Sequence, residues 1–240
     1  MPEAAIGSRP DAVLAGESSE GTEAVLCLTG ILKSWPSQST PILDRVDLEL
    51  EPSTTSSISG RNGAGKTTLL RIAAGLIAAE AGSVQACGLD VERDRTEFQR
   101  RIGFLAAGNS GLYARLKVEH HLELWTRLAL MPRRHRRPAV EAAIETFALE
   151  PLLGRRVDRL SMGQRQRLRL ALAFAHSPNV VLLDEPATSL DEEGIALLQR
   201  ALGALKSRGG AALVCLPSGW EQILEVDRAL VLTDGQLESR

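Results

Sequence analysis

Nine consecutive residues, Gly60, Arg61, Asn62, Gly63, Ala64, Gly65, Lys66, Thr67 and Thr68, have the types and spacing to grip a polyphosphate. They fit the pattern G-x-x-x-x-G-K-[ST]. Phosphate oxygens need many donors at short range, so the main chain must curl with its N–H groups inward. Glycines at 60, 63 and 65 permit that curl and a close approach. Lys66 supplies a compact positive charge for β- and γ-phosphates, and Thr67 a hydroxyl for Mg²⁺. Of the 28 basic residues only Lys33, Lys66, Lys117 and Lys206 are lysine, so Lys66 stands against the habit of the chain.

Two acids follow a continuous apolar run, in which Val180, Val181, Leu182 and Leu183 lead into Asp184 and Glu185. Such a run marks a strand buried on both faces, and open α/β sheets place ligands at the carboxyl ends of their strands. Asp184 can hold Mg²⁺ there, directly or through water. Glu185, one residue further out, can polarise a water that attacks the γ-phosphate; its plain alternative is a solvated acid after a strand. Ser161, Gly163 and Gln164 open a helix, where a hydroxyl and free N–H groups make either an anion site or simply an N-cap.

These groups need elements to position them. The patterning predicts strands over residues 23–30, 42–50, 55–59, 83–87, 101–105, 180–183, 211–216 and 229–232, with a turn at 81–82. The strand at 55–59 is unusually polar for a buried one. Helices are expected over 67–75, 117–130, 139–147, 164–177, 192–208 and 220–225, and a polar helix or loop over 94–101. The helix at 67–75 aims its N-terminus at the phosphate loop. The arginine-rich stretch 133–138 reads as a solvated interhelix loop, with contact to anionic lipid or a partner as the alternative. Strands alternating with helices imply a mostly parallel sheet. Residues of about 112–176 are mostly helical and read as a subdomain inserted into an α/β core. Residues 1–22, rich in Glu, Ala, Gly, Ser and Pro without periodicity, read as a disordered tail.

At 240 residues and 44% hydrophobic content the chain can bury a sizeable core. A net charge of −2 gives no sign of a polyanion binder, and no nucleic-acid partner is expected. Cys27, Cys87 and Cys215 are widely spaced, in no metal-ligand pattern, and suit reduced thiols in the cytosol. His120 and His121 are adjacent, which puts them on different helix faces and makes them poor joint metal ligands. No apolar run is long enough to span a bilayer, and no signal peptide is visible.

In their order along the chain, the phosphate loop, Leu160-Ser161-Met162-Gly163-Gln164, the run ending in Asp184-Glu185, and Ser189-Leu190-Asp191 resemble the nucleotide-binding domain of the ATP-binding cassette (ABC) transporter family. The resemblance covers about residues 23–240. The resemblance implies an α/β P-loop NTPase core with a mostly parallel sheet, an antiparallel β subdomain and the inserted helical subdomain. It implies ATP and Mg²⁺ as cofactors, with Glu185 as catalytic base. Ser161, Gly163 and Gln164 would then face the ATP of a second subunit in a head-to-tail homodimer or heterodimer, with Asp191 at the seam. Trp35 occupies the place of an adenine-stacking aromatic, although a core tryptophan is the other reading. A separate transmembrane permease subunit would meet loop 107–115, and residues 112–116 resemble exporter-type cassettes. The chain would thus sit on the inner face of the cell membrane.

Three positions depart from the family. Ala107 stands where the family has a glutamine that reaches Mg²⁺ and the attacking water, Pro217 where it has a switch histidine, and Met162 at a signature glycine. Asn109 or Ser110 could stand in for the glutamine. Two expectations follow: an ATPase subunit that powers export, or a degenerate cassette that binds ATP and hydrolyses it poorly. A cassette acting on ribosomes or DNA is disfavoured by the absence of sustained heptads and the near-neutral charge.

Overall fold

Residues 24–36, 40–108 and 111–239 are described in the computed structural model, and together they form two sheets and six α-helices. The tail 1–22, Asn109 and Ser110 lie outside the described residues. The smaller sheet is antiparallel, in the order β2-β1-β4-β5, from β1 (Leu26–Lys33), β2 (Leu43–Leu50), β4 (Ala81–Ala86) and β5 (Leu89–Asp90). Alternation along β2 turns Val46, Leu48 and Leu50 inward. Arg45, with φ of 53°, sits where the β1–β2 register slips and restores that inward phase.

The larger sheet has the order β10-β9-β3-β8-β7-β6. It is built from β3 (Thr55–Ser59), β6 (Ile102–Leu105), β7 (Val180–Asp184), β8 (Ala211–Cys215), β9 (Arg228–Thr233) and β10 (Gln236–Ser239). Only the β9–β10 pair is antiparallel. Side chains alternate across the sheet, so β7 sends Val181 and Leu183 into one core and Val180 and Leu182 into another. All four are fully buried, each contributing about 1.5–3 kcal/mol by leaving water. β8 divides likewise, with Ala212 and Val214 on one side and Ala211, Leu213 and Cys215 on the other.

The core on one side packs α1 (Lys66–Ala73), Phe98 of α2 (Arg95–Arg101) and the small sheet against the large one. The core on the other holds α3 (Val118–Leu128), α4 (Arg133–Thr146), α5 (Met162–Phe174) and α6 (Glu192–Ser207). Two single 3₁₀ turns, Glu150–Leu152 and Val157–Arg159, join α4 to α5.

Three local expectations fail and β10 goes unforeseen, each for a physical reason. The arginine-rich stretch is helical, because arginine is a good helix former and Pro138 lies on an exposed face, where water can take the Arg134 carbonyl it leaves unbonded. Residues 220–225 form two turns, Trp220 N–H to Pro217 O and Ile223 N–H to Trp220 O, and are too short to sustain a helix. Ala81 and Gly82 lie in β4: a Cβ on Gly82 would stand 2.5 Å from the Thr29 carbonyl, so glycine here serves close strand packing. β10 carries Gln236, Glu238 and Ser239, all exposed, and so has no apolar alternation to announce it.

Candidate functional site

β3 lies between β8 and β9 and runs straight into the phosphate loop. Its small, buried Ser56, Ser57 and Ser59 fit a strand flanked on both edges, with the Ser59 hydroxyl donating to the Leu230 carbonyl at 3.4 Å. The Asp227 carboxylate accepts the Thr55 N–H at 2.7 Å and fixes where the strand begins. Two glycines of the loop are obligatory. A Cβ on Gly60, at φ of 148°, would stand 2.5 Å from the Leu232 carbonyl; on Gly65, at φ of 108°, it would stand 2.9 Å from the Ile42 carbonyl.

Inside this curl the buried Lys66 ammonium donates to the carbonyls of Gly60, at 2.5 Å, and Arg61, at 3.1 Å. The Ser218 hydroxyl donates to the same Gly60 carbonyl at 3.2 Å. Thr67, in the first turn of α1, donates its hydroxyl to the Asp184 carboxylate at 2.7 Å, which locks the loop to the end of β7. Glu185 follows in a left-handed backbone at φ of 50°, its N–H held by the Cys215 carbonyl at 3.0 Å. That conformation costs a glutamate about 1–2 kcal/mol and turns its side chain out of the strand's alternation. Burial pushes the neighbouring Cys215 thiol well up, and the Asp184 charge adds to it, so the sulfur stays a neutral packing group.

A cavity of about 370 Å³ is lined by Trp35, Ile42, the loop from Asn62 to Thr68, Asp184 and Glu185. Trp35 is 40% exposed, so it is no core tryptophan, and the Lys33 ammonium stands 5.1 Å from its ring centroid. A cation over one face leaves the other for a flat partner. Arg61 borders an adjoining depression on the outer side of the loop.

A family model described as ABC transporter matches residues 43–188. The chain belongs to the ABC transporter family. The cassette is 34% identical over 161 residues to the ABC transporter ATP-binding protein NatA of Bacillus subtilis (strain 168), covering 67% of this chain and 65% of that one. It is 33% identical over 201 residues to the daunorubicin resistance ATP-binding protein DrrA3 of Streptomyces coeruleorubidus, covering 80% and 63%. The cassette thus spans slightly less than two thirds of the length of these two relatives. It is 28% identical to the energy-coupling factor transporter ATP-binding protein EcfA1 of Streptococcus agalactiae, covering 82% and 71%. In fold it matches an ATP-binding subunit of an ABC transporter (TM-score 0.80, 21% identity, 90% of both chains). It also matches a dimeric post-hydrolysis cassette bound to ADP and Pi (TM-score 0.76, 24% identity, 89% and 98%).

The residues of the cassette fit a nucleoside triphosphate, since a loop whose curl admits no Cβ at Gly60 or Gly65 surrounds a buried ammonium. They also fit Mg²⁺: the Thr67 hydroxyl and Asp184 carboxylate are hard oxygen donors already in contact, and Mg²⁺ takes one or two protein ligands beside phosphate and water.

Ser161, Gly163, Gln164 and Asp191 do not line this cavity. Ser161 and Gln164 form a reciprocal capping box on α5, with the Ser161 hydroxyl accepting the Gln164 N–H at 3.2 Å and the Ser161 N–H donating to the Gln164 side chain at 3.0 Å. Gly163 lies against the Ser189 carbonyl, which a Cβ would approach to 2.9 Å. Asp191 caps α6, accepting the Gly194 N–H at 2.8 Å. Met162 is half exposed beside them.

Sequence reasoning missed a buried polar relay behind the site. Gln166 Nε2 donates to the Pro186 carbonyl at 2.8 Å, Arg169 donates to Gln166 Oε1 at 2.7 Å, and Arg169 donates to the Ala106 carbonyl at 2.5 Å. It ties the segment after Glu185, through α5, to the exit of β6 beside Ala107. Only the one-turn spacing of Gln166 and Arg169 on a helix pointed to it.

Proposed function

We propose that this cassette binds MgATP and hydrolyses it as the peripheral motor subunit of an exporter, driving a separate permease from the inner face of the membrane. The observation that carries the reading is the convergence of Lys66, Thr67, Asp184 and Glu185 on one cavity edged by Trp35. Lys66 is held by loop carbonyls at the floor of the cradle, where its charge can turn to β- and γ-oxygens. Thr67 and Asp184 would hold Mg²⁺, which when bound neutralises charge on those oxygens. Glu185 would take the proton of the attacking water, and its left-handed backbone aims the carboxylate at the cavity. Trp35 would stack on adenine.

The capped start of α5, away from its own phosphate loop, supports a half-site completed by a second copy or a paralogue, packed head-to-tail with Asp191 at the seam. The cassette similar in fold is described as dimeric, which supports pairing with a second subunit. Residues 23–240 would then be one ATPase domain carrying the helical subdomain 112–176. An apolar groove of about 450 Å³, lined by Leu76, Phe104, Trp125 and Leu128 and reaching the loop at Gly111, would receive the permease. The relative named for daunorubicin resistance supports export. No helix among the described residues is long and apolar enough to cross a membrane.

Ala107 and Pro217 favour a second reading, slow turnover. Neither side chain can donate to a γ-phosphate, and the hydroxyl nearest to the missing histidine, on Ser218, is turned to Gly60. ATP turnover, measured alone and with the permease, separates the two. Glu185→Gln should lower turnover about a hundredfold or more while ATP binding persists. Unchanged turnover in that variant rejects Glu185 as base; ATP binding without turnover in the wild-type complex establishes the slow cassette.

A further inference from the structure

The corner between α3 and α4 carries a surface that the nucleotide site does not use. α3 ends in a Schellman turn, with Leu130 N–H donating to Arg127 O at 2.9 Å and Met131 N–H to Thr126 O at 3.0 Å. The residue after such a cap is ordinarily glycine. Here it is Leu130, at φ of 54°, with 56% of its surface exposed; Leu128, just before, is 63% exposed. A strained leucine held out in solvent asks for an apolar contact.

The cations follow at once. Arg133, Arg134, Arg136 and Arg137 open α4, and no acid occurs from Leu124 to Val140. Arg136 donates to the Met131 carbonyl at 2.7 Å and pins the helix start to the corner. Arg134 donates to His135, and Arg137 meets the exposed Glu141 at 2.8 Å. From α2, Arg100 and Arg101 face the same side, where Arg100 holds Glu97 at 2.8 Å. The patch is therefore positive on a chain whose net charge is −2.

We propose that this corner docks on an anionic bilayer surface, with Leu128 and Leu130 entering the interface and the arginines meeting lipid phosphates. Apolar tips beside cations match a bilayer interface; a nucleic acid or an acidic peptide would answer the charge and leave the two leucines in water. The orientation rests on the proposed function, because Leu128 also lines the groove offered to the permease. The lipid contact itself requires no permease.

The test floats the purified full chain with vesicles of phosphatidylcholine, with and without phosphatidylglycerol. Binding is expected only to the anionic vesicles, and to weaken with salt. Each arginine near an anionic surface contributes about a fivefold factor, so replacing Arg133, Arg134 and Arg137 by Gln should lower partitioning roughly a hundredfold. Leu130→Gly, which suits the left-handed turn and so keeps the fold, should lower it several-fold. Equal binding to both vesicle types, or no effect of the triple Gln variant, overturns the proposal. A loss with the Gln variant but none with Leu130→Gly and Leu128→Ser marks a purely ionic contact and overturns the bilayer reading too. ATP binding and turnover of the isolated chain should be unchanged in the triple Gln variant and in Leu130→Gly, which touch neither the nucleotide cavity nor the groove offered to the permease. A failure here is thus separate from a failure of the ATPase reading, which Glu185→Gln reports.

Discussion

Gln166→Met is the sharpest perturbation of the relay behind the site. It keeps side-chain length and deletes both polar contacts of a residue that is 5% exposed. The bond to the Pro186 carbonyl is neutral and contributes about 0.5–1.5 kcal/mol, whereas the bond from Arg169 is charge-assisted and contributes about 1.5–3 kcal/mol. The expected loss is about 2–4 kcal/mol, the sum of the two bonds, because the Pro186 carbonyl remains buried without its donor. Arg169 keeps the Ala106 carbonyl, so the charge is not abandoned. Urea unfolding measures the loss, and an unchanged slope would show that the denatured state is unaffected. A double-mutant cycle with Arg169→Met should return a coupling of about 1–2 kcal/mol, since the two residues act as a unit. The relay also steadies the strained backbone at Glu185, so turnover should fall about tenfold while ATP affinity holds within about twofold, the phosphate loop being untouched. A loss within about 0.5 kcal/mol and full additivity with Arg169→Met would refute the idea of a connected relay.

Gly65→Ala sets a methyl 2.9 Å from the Ile42 carbonyl at a positive φ, and should cost more than about 2 kcal/mol and abolish ATP binding; Gly63→Ala meets open space and should show backbone strain alone, about 1–2 kcal/mol. Isothermal titration and unfolding of the pair separate crowding from strain. Trp35→Ala should weaken ATP and ADP alike, by about tenfold, and leave inorganic triphosphate unaffected, as expected for loss of a stacking face. Burial holds the His121 and His176 imidazoles below their usual range, against the carbonyls of Lys117 and Ile102. The unfolded chain therefore binds protons first near pH 6.5, so stability is full above about pH 6.5 and falls as pH drops below it. Urea midpoints at about pH 7.5 and 5.5 should show this fall, and His176→Asn should flatten part of it.

The motifs that converge on the candidate site were legible because each is local. A glycine pattern, a lysine and an apolar run ending in two acids are contiguous, and the parallel sheet needs only their alternation with helices. Long-range pairings were not legible. Ser218 on Gly60 and Gln166 on Pro186 join residues whose types alone suggest nothing. Ile42 enters the cavity from the first residue before β2, where the pattern shows only another apolar position. The helix over 133–138 was hidden by treating a charge run and a proline as a break, when exposure makes both tolerable. The cap function of Ser161 was readable from its place at a helix start, whereas that of Asp191 came only with the structure; which surface would face a second subunit is a property of an assembly and not of one chain.

The alternation in β7 and β8 has a mechanical consequence. The phosphate-loop helix α1 and the signature helix α5 are packed on opposite faces of one sheet, in cores that share no side chain. Sliding or tilting the α3–α5 layer therefore strains one core while the other keeps the cradle rigid. The sheet behaves as a stiff plate with a fixed grip on one side and a movable arm on the other. Native-state hydrogen exchange should resolve this as late exchange in β7, β8 and α1 and earlier, sub-global opening in α3 and α4.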